Sequence, residues 1–185
     1  MIVVAALVLV ALSVPLAGGS LRALAEIRVR AVWAAVAALA IQIGIINIFE
    51  HAIAHSVAEV AHLASYGLAG WFVVANLRIR GLWLVALGAA MNLAPIVANH
   101  GVMPSSPTAA RLAGHAPTTE KFVNSISTPD AKLAILGDIF AIPAGYPLAN
   151  VFSIGDIVLV AGAGTVLHVA SGSRLRRSRR MLPTT

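Results

Sequence analysis

Residues 31–76, AVWAAVAALAIQIGIINIFEHAIAHSVAEVAHLASYGLAGWFVVAN, decide how this chain is read. The stretch is forty-six residues of mostly apolar sequence with arginines at both ends, Arg28 and Arg30 before it and Arg78 and Arg80 after it. A bilayer core about 30 Å thick takes about 20 apolar residues in a helix, so the stretch is two spans long. Glu50-His51-Ala52-Ile53-Ala54-His55 supplies the polar break that two spans require. Working outward, Ile2–Gly18, Leu82–Asn99 and Ile154–Ser171 are three further apolar stretches bounded by charge or turn residues. The reading is an all-α integral membrane bundle with five transmembrane helices at about 2–18, 31–49, 55–76, 82–99 and 154–171. All five belong to one membrane domain, residues 1–185.

Composition points the same way. AVILMFWYC residues make up 59% of the 185 and charged residues 11%, with mean hydropathy +0.89. A soluble domain carries about 45–50% and about 25%. A chain of this size cannot hide that much apolar surface from water, which excludes a cytosolic enzyme, a secreted disulfide scaffold and a disordered tail. The absence of cysteine excludes thiolate metal and iron–sulfur sites.

Charge sets the expected orientation. Arg22, Arg28 and Arg30 follow the first helix, Arg78 and Arg80 join the third and fourth, and Arg174, Arg176, Arg177, Arg179 and Arg180 follow the fifth. An external N-terminus and a cytoplasmic C-terminus put all of these inside, leaving Arg111, Lys121 and Lys132 outside in a loop of about 50 residues, 101–153, packed on the bundle. Because the first apolar run precedes its positive charge, it reads as a retained span rather than a cleaved signal peptide. The basic tail, 172–185, reads as an anchor beside anionic headgroups, not as a nucleic-acid patch. The expected location is the bacterial plasma membrane, multi-pass, with lipid and one or more proteins of a membrane complex as partners.

One internal echo stands out. Arg28-Val29-Arg30-Ala31-Val32-Trp33 and Arg78-Ile79-Arg80-Gly81-Leu82-Trp83 share the pattern R-[VI]-R-[AG]-[VL]-W fifty residues apart. Duplication of a helix pair is one reading; recurrence of arginine and an interfacial tryptophan at membrane entry is the other.

Ionisable residues within apolar helices are the first candidates for function. His51, His55, Glu59 and His62 fall on one helical face, and Tyr66 continues it. His51, His55 and Glu59 are candidate ligands for a divalent metal, and His51, His55, His62 and His100 for haem. Histidines hydrogen-bonded in a polar helix end, with no cofactor, are the plainer reading. His115 lies in the long loop. Asp138 and Asp156 each stand in a Gly-Asp-Ile triplet, and a carboxylate pair raises an aspartic-peptidase chemistry in which one acid and one base share a proton. Capping of helices is the simpler use: Ser153-Ile154-Gly155-Asp156 has capping-box spacing. Asn92, Pro95 and Asn99 form a polar stripe on the fourth helix, and Gly101 fits its left-handed cap.

The segment Asn150–Ile157 faintly resembles the last motif of lipoprotein signal peptidases, but Pro95 stands where that family's partner aspartate would be, so the dyad does not carry over. The run Asn92–Pro104, with Leu136-Gly137-Asp138-Ile139 and Ser153-Ile154-Gly155-Asp156-Ile157, resembles an uncharacterised family of small multi-span bacterial membrane proteins common in actinobacteria. The likeness spans about residues 20–170. It implies a plasma-membrane protein and supplies no activity; Asn92, Asn99, Gly101, Pro104, Ser153 and Asp156 are the motif positions it marks. The function expected is a non-catalytic accessory subunit or binding module. A haem- or metal-binding membrane protein and an aspartic membrane peptidase are the alternatives.

Overall fold

The computed structural model describes residues 2–47, 55–114, 125–126 and 130–177. Five long helices carry it: α1 (Ile2–Leu16), α3 (Val32–Asn47), α4 (His55–Ala75), α5 (Leu82–Ala98) and α7 (Ile154–Ala170). Short helices α2 (Leu21–Ala25), α6 (Pro107–Leu112) and α8 (Arg174–Arg177) follow turns. Each long helix lies where the hydropathy of the sequence places an apolar stretch. What that hydropathy implied about a bilayer is overturned: among the described residues, no helix is long and apolar enough to cross a membrane.

The reason is geometric. Apolar residues counted between charges include the turns that end each helix. Gly18, at φ 70°, lies beyond the last turn of α1. Once these are removed, α1, α3, α5 and α7 hold 15 to 17 residues, rising only about 22–26 Å. The 21-residue α4 is long enough, but Ser56, Glu59, His62, Ser65 and Tyr66 dilute it. With the spans go the transmembrane bundle, the inside and outside assignments, and the integral-membrane description.

The all-α description also needs amending, because residues 101–153 hold small ladders. β1 (Met103–Pro104) pairs in parallel with β2 (Ser125–Ile126), and β3 (Phe140–Ile142) pairs antiparallel with β4 (Asn150–Phe152) in the register Phe140↔Phe152, Ala141↔Val151, Ile142↔Asn150. Phe140 and Phe152 stack at 5.4 Å. Ala109 and Ala113 of the α6 region bury against Val151, with Ala141 beside them.

The helices pack as α3 on α4 and α5 on α7, with α1 against α7. The α5–α7 seam is built by glycine. A Cβ on Gly88 would sit 2.5 Å from the backbone nitrogen of Leu159, and one on Gly162 would sit 2.5 Å from that of Val85. The backbones therefore touch directly.

The arginine–tryptophan echo has a structural counterpart. Ala31 (φ 51°) and Gly81 (φ 91°) are both left-handed, and the next residue begins α3 or α5. In both copies a backbone bond closes the first turn, Ala34 N to Ala31 O at 2.9 Å and Leu84 N to Gly81 O at 3.0 Å. Trp33 and Trp83 are both exposed.

Candidate functional site

Chemistry-bearing side chains gather at the two ends of α7, with an apolar groove between them. At the N-terminal end, Ser153 and Asp156 form a reciprocal capping box. The Ser153 Oγ accepts from Asp156 N, and Asp156 Oδ2 accepts from Ser153 N, both at 3.0 Å. Asn92 reaches across from α5 and closes the network. Its Nδ2 donates to Asp156 Oδ1 and its Oδ1 accepts from Ser153 Oγ, both at 2.7 Å. Gly155 makes this possible, since a Cβ there would land on the Asn92 amide oxygen. Ser153 is fully buried.

Two turns further along α5, Asn99 clamps the long loop. Its Nδ2 donates to Lys132 O at 2.8 Å and to Pro95 O at 2.7 Å, and its Oδ1 accepts from Lys132 N at 2.9 Å. Pro95 has no N–H and sits inside the helix. His100 (φ 56°) and Gly101 (φ 88°) turn the chain out of α5, and Gly101 N bonds to Ile96 O at 2.8 Å. Asp138 is held through its backbone: its N donates to Pro104 O and its carbonyl accepts from Ser106 N, both at 2.9 Å. Gly137 is required beside it, because a Cβ would strike Pro104 O. The loop thus folds back on the end of α5. Burial, followed by the negative fields of Asp156 and Asp138, raises the pKa of the Tyr66 hydroxyl.

At the other end of α7, His168 lies between two serines, Ser13 of α1 and Ser173. Its Nε2 is 3.0 Å from Ser13 Oγ, and its Nδ1 is 2.9 Å from Ser173 Oγ. Hydrogen counting fixes the direction of the first bond. Ser13 has one hydroxyl hydrogen, and it goes to Val10 O at 2.6 Å. His168 must then donate from Nε2 to Ser13, while its Nδ1 faces the Ser173 hydroxyl. A nucleophilic serine needs the opposite, an imidazole lone pair facing its hydroxyl. The chain of bonds ties α1 to α7 and the following turn. Ser20 N to Ser171 O (3.0 Å) and Arg174 N to Ala17 O (2.9 Å) reinforce the tie.

Between the two ends runs a groove of about 500 Å³, walled by Ile2, Val3, Ala6 and Val10 of α1 and by Ile157, Val160, Ala161 and Gly164 of α7. Phe152 and Asp156 stand at one end and Ser13 and His168 at the other. The volume is that of a small-molecule pocket, and an apolar wall with a few polar groups is their usual construction.

The sequence-derived candidates divide accordingly. Asn92, Ser153 and Asp156 meet in one network, and Asn99, Gly101, Pro104 and Asp138 organise the loop beside it. His62 is 4% exposed and meets Tyr66 edge-on at 5.0 Å; burial lowers its pKa. His100 is exposed. His51 and His115 lie outside the described residues, as do the side chains of His55 and Glu59. Among the described residues no three of His, Asp and Glu are placed to hold a metal ion. Sequence reasoning missed Ser13, His168 and Ser173. Their one signal is isolation, since a lone polar group in an apolar helix needs a partner.

No curated protein and no solved structure matches the chain. Residues 26–168, which hold α3 to α6 and all but the last two residues of α7, with both asparagine networks and His168, match the model of a family of unknown function, DUF5317, and the chain belongs to that family.

Proposed function

We propose that the protein is a non-catalytic binding module, an accessory subunit of a complex at the bacterial plasma membrane. The observation that carries this reading is the use of its polar groups. Both oxygens of Asp156, both ring nitrogens of His168 and both amide atoms of Asn92 bond within the chain. These groups hold helices together rather than standing ready to exchange protons with a substrate, while the recess beside them is apolar.

Exposed apolar side chains support the location. Leu9, Leu39, Val60 and Val74 are each 60–67% exposed, on three different helices, α1, α3 and α4. Apolar surface on this scale marks contact with lipid or with a partner protein. Arg174 and Leu175, directly after α7, add a basic, apolar edge of the kind that anionic headgroups attract.

Native purification of the tagged full chain, with mass spectrometry of what elutes beside it, tests the reading. A partner at fixed stoichiometry is expected. Cleavage of a co-expressed membrane protein that stops in both Asp138→Asn and Asp156→Asn would replace the reading with a peptidase. Stoichiometric metal or haem in the purified protein would replace it with a cofactor carrier.

A further inference from the structure

We propose that the groove between α1 and α7 holds one extended hydrocarbon chain, that of a single-chain amphiphile with a cationic head seated at Asp156. The inference rests on the binding-module reading and names the ligand class. It starts from shape. Asp156 and His168 are twelve residues apart on α7, so the groove between them is about 18 Å long. A groove of that length and about 500 Å³ has room for one extended hydrocarbon chain.

The walls say what kind of chain. Apart from Ser13, Asp156 and His168, every lining residue is apolar or glycine. An extended peptide would leave its amides without partners along such walls, whereas a polymethylene chain has none to satisfy. Bonds of about 1.5 Å at tetrahedral angles advance about 1.3 Å per carbon, so about fourteen carbons span the groove.

The ends say which way round it lies. At the His168 end, the ring nitrogens and the Ser13 hydroxyl hydrogen are consumed by the bonds to Ser173, Ser13 and Val10. At the other end, the Asp156 carboxylate accepts from the Asn92 amide and the Ser153 N–H. Among the described residues these partners are dipoles rather than cations. A carboxylate at the mouth of an apolar groove favours a cationic head and repels an anionic one. Tetradecylamine is the simplest molecule with that combination.

The test uses the full chain in a steroid-based detergent, whose rigid fused rings do not mimic an extended hydrocarbon chain, with titration calorimetry and native mass spectrometry as readouts. Tetradecylamine is expected to bind one to one, and tetradecanoate at least tenfold more weakly. Each buried methylene is worth about fourfold, so decylamine should bind more than a hundredfold more weakly. Octadecylamine should gain little, its extra carbons lying outside. Ala161→Phe fills one wall and should weaken tetradecylamine at least tenfold; Ala6→Phe fills the facing wall and decides the matter if the first variant does not fold. Absence of saturable binding, equal binding of amine and carboxylate, or wild-type affinity in the folded Phe variants would each overturn the proposal. A chain that copurifies with a stoichiometric partner yet ignores tetradecylamine loses this inference and keeps the binding-module reading. A chain that binds the amine and copurifies with nothing does the reverse.

Discussion

The two ends of α7 are secured by different means. At Ser153 and Asp156 the helix caps itself, and Asn92 of the neighbouring helix joins a network that local spacing already prepares. At His168 little is local to the tie with α1: Ser13 lies 155 positions away and meets the ring only once the chain has folded. The face of α7 toward α5 also sits on a glycine seam that admits no extra atom, while the face toward α1 packs more loosely. Gly164, on that face, leaves 3.4 Å between a built Cβ and Val10 Cγ1. Toward α5, α7 is thus a fixed joint; toward α1 it is held by a polar latch beside an open groove.

The largest effect expected from this contrast lies in the seam. Gly155→Ala and Gly88→Ala should each cost about 3 kcal/mol or more, because a methyl there must displace backbone or the Asn92 amide. Gly164→Ala, on the same helix, should be neutral or stabilising by up to about 1 kcal/mol, since alanine is the better helix former. Equilibrium unfolding of the three variants measures this, and equal losses at Gly155 and Gly164 would erase the distinction between the two faces.

Next comes the latch. His168→Ala strands the buried Ser173 hydroxyl and removes two bonds, for an expected loss of about 2–3 kcal/mol. Ser13→Ala removes one partner and should cost about 1 kcal/mol. If the two substitutions in combination cost no more than His168→Ala alone, they belong to one chain of bonds.

Ser153→Ala probes the cap and should cost about 1–2 kcal/mol. Amide exchange should show the loss concentrated in the first turn of α7, with the turn after His168 unchanged. The smallest effect belongs to Ser171→Ala. Its hydroxyl makes a long 3.3 Å bond to His168 O, and a change within about 0.5 kcal/mol is expected by the same unfolding assay.

Much of this could be read from sequence where the cause is local. Apolar stretches mark the five long helices, and Ser153-x-x-Asp156 marks the start of α7, because capping depends on residues three apart. The membrane-spanning architecture was misread because hydropathy counts residues without showing which leave the helix. Gly18, Asn99 and Ser171 extend apolar stretches whose helices have already ended. The ladders of residues 101–153 escaped notice because strands of two or three residues carry no alternation to detect. The Ser13–His168–Ser173 relay escaped because nothing in sequence spacing brings α1 to the end of α7.

The two asparagine clamps have a consequence for how this chain can vary. Asn99 grips the N–H and the C=O of Lys132, and Asn76 grips those of Arg30 in the same way: Arg30 N donates to Asn76 Oδ1, and Asn76 Nδ2 donates to Arg30 O, both at 2.8 Å. In each case the amide also bonds four residues back in its own helix, to Phe72 or Pro95, and the residue after the gripped one, Ala31 or Leu133, turns left-handed. What is recognised is a peptide group, which every residue but proline offers complete. Positions 30 and 132 are therefore free to drift in size and charge without releasing either loop. Aspartate at position 76 or 99, isosteric though it is, removes the donor that holds it.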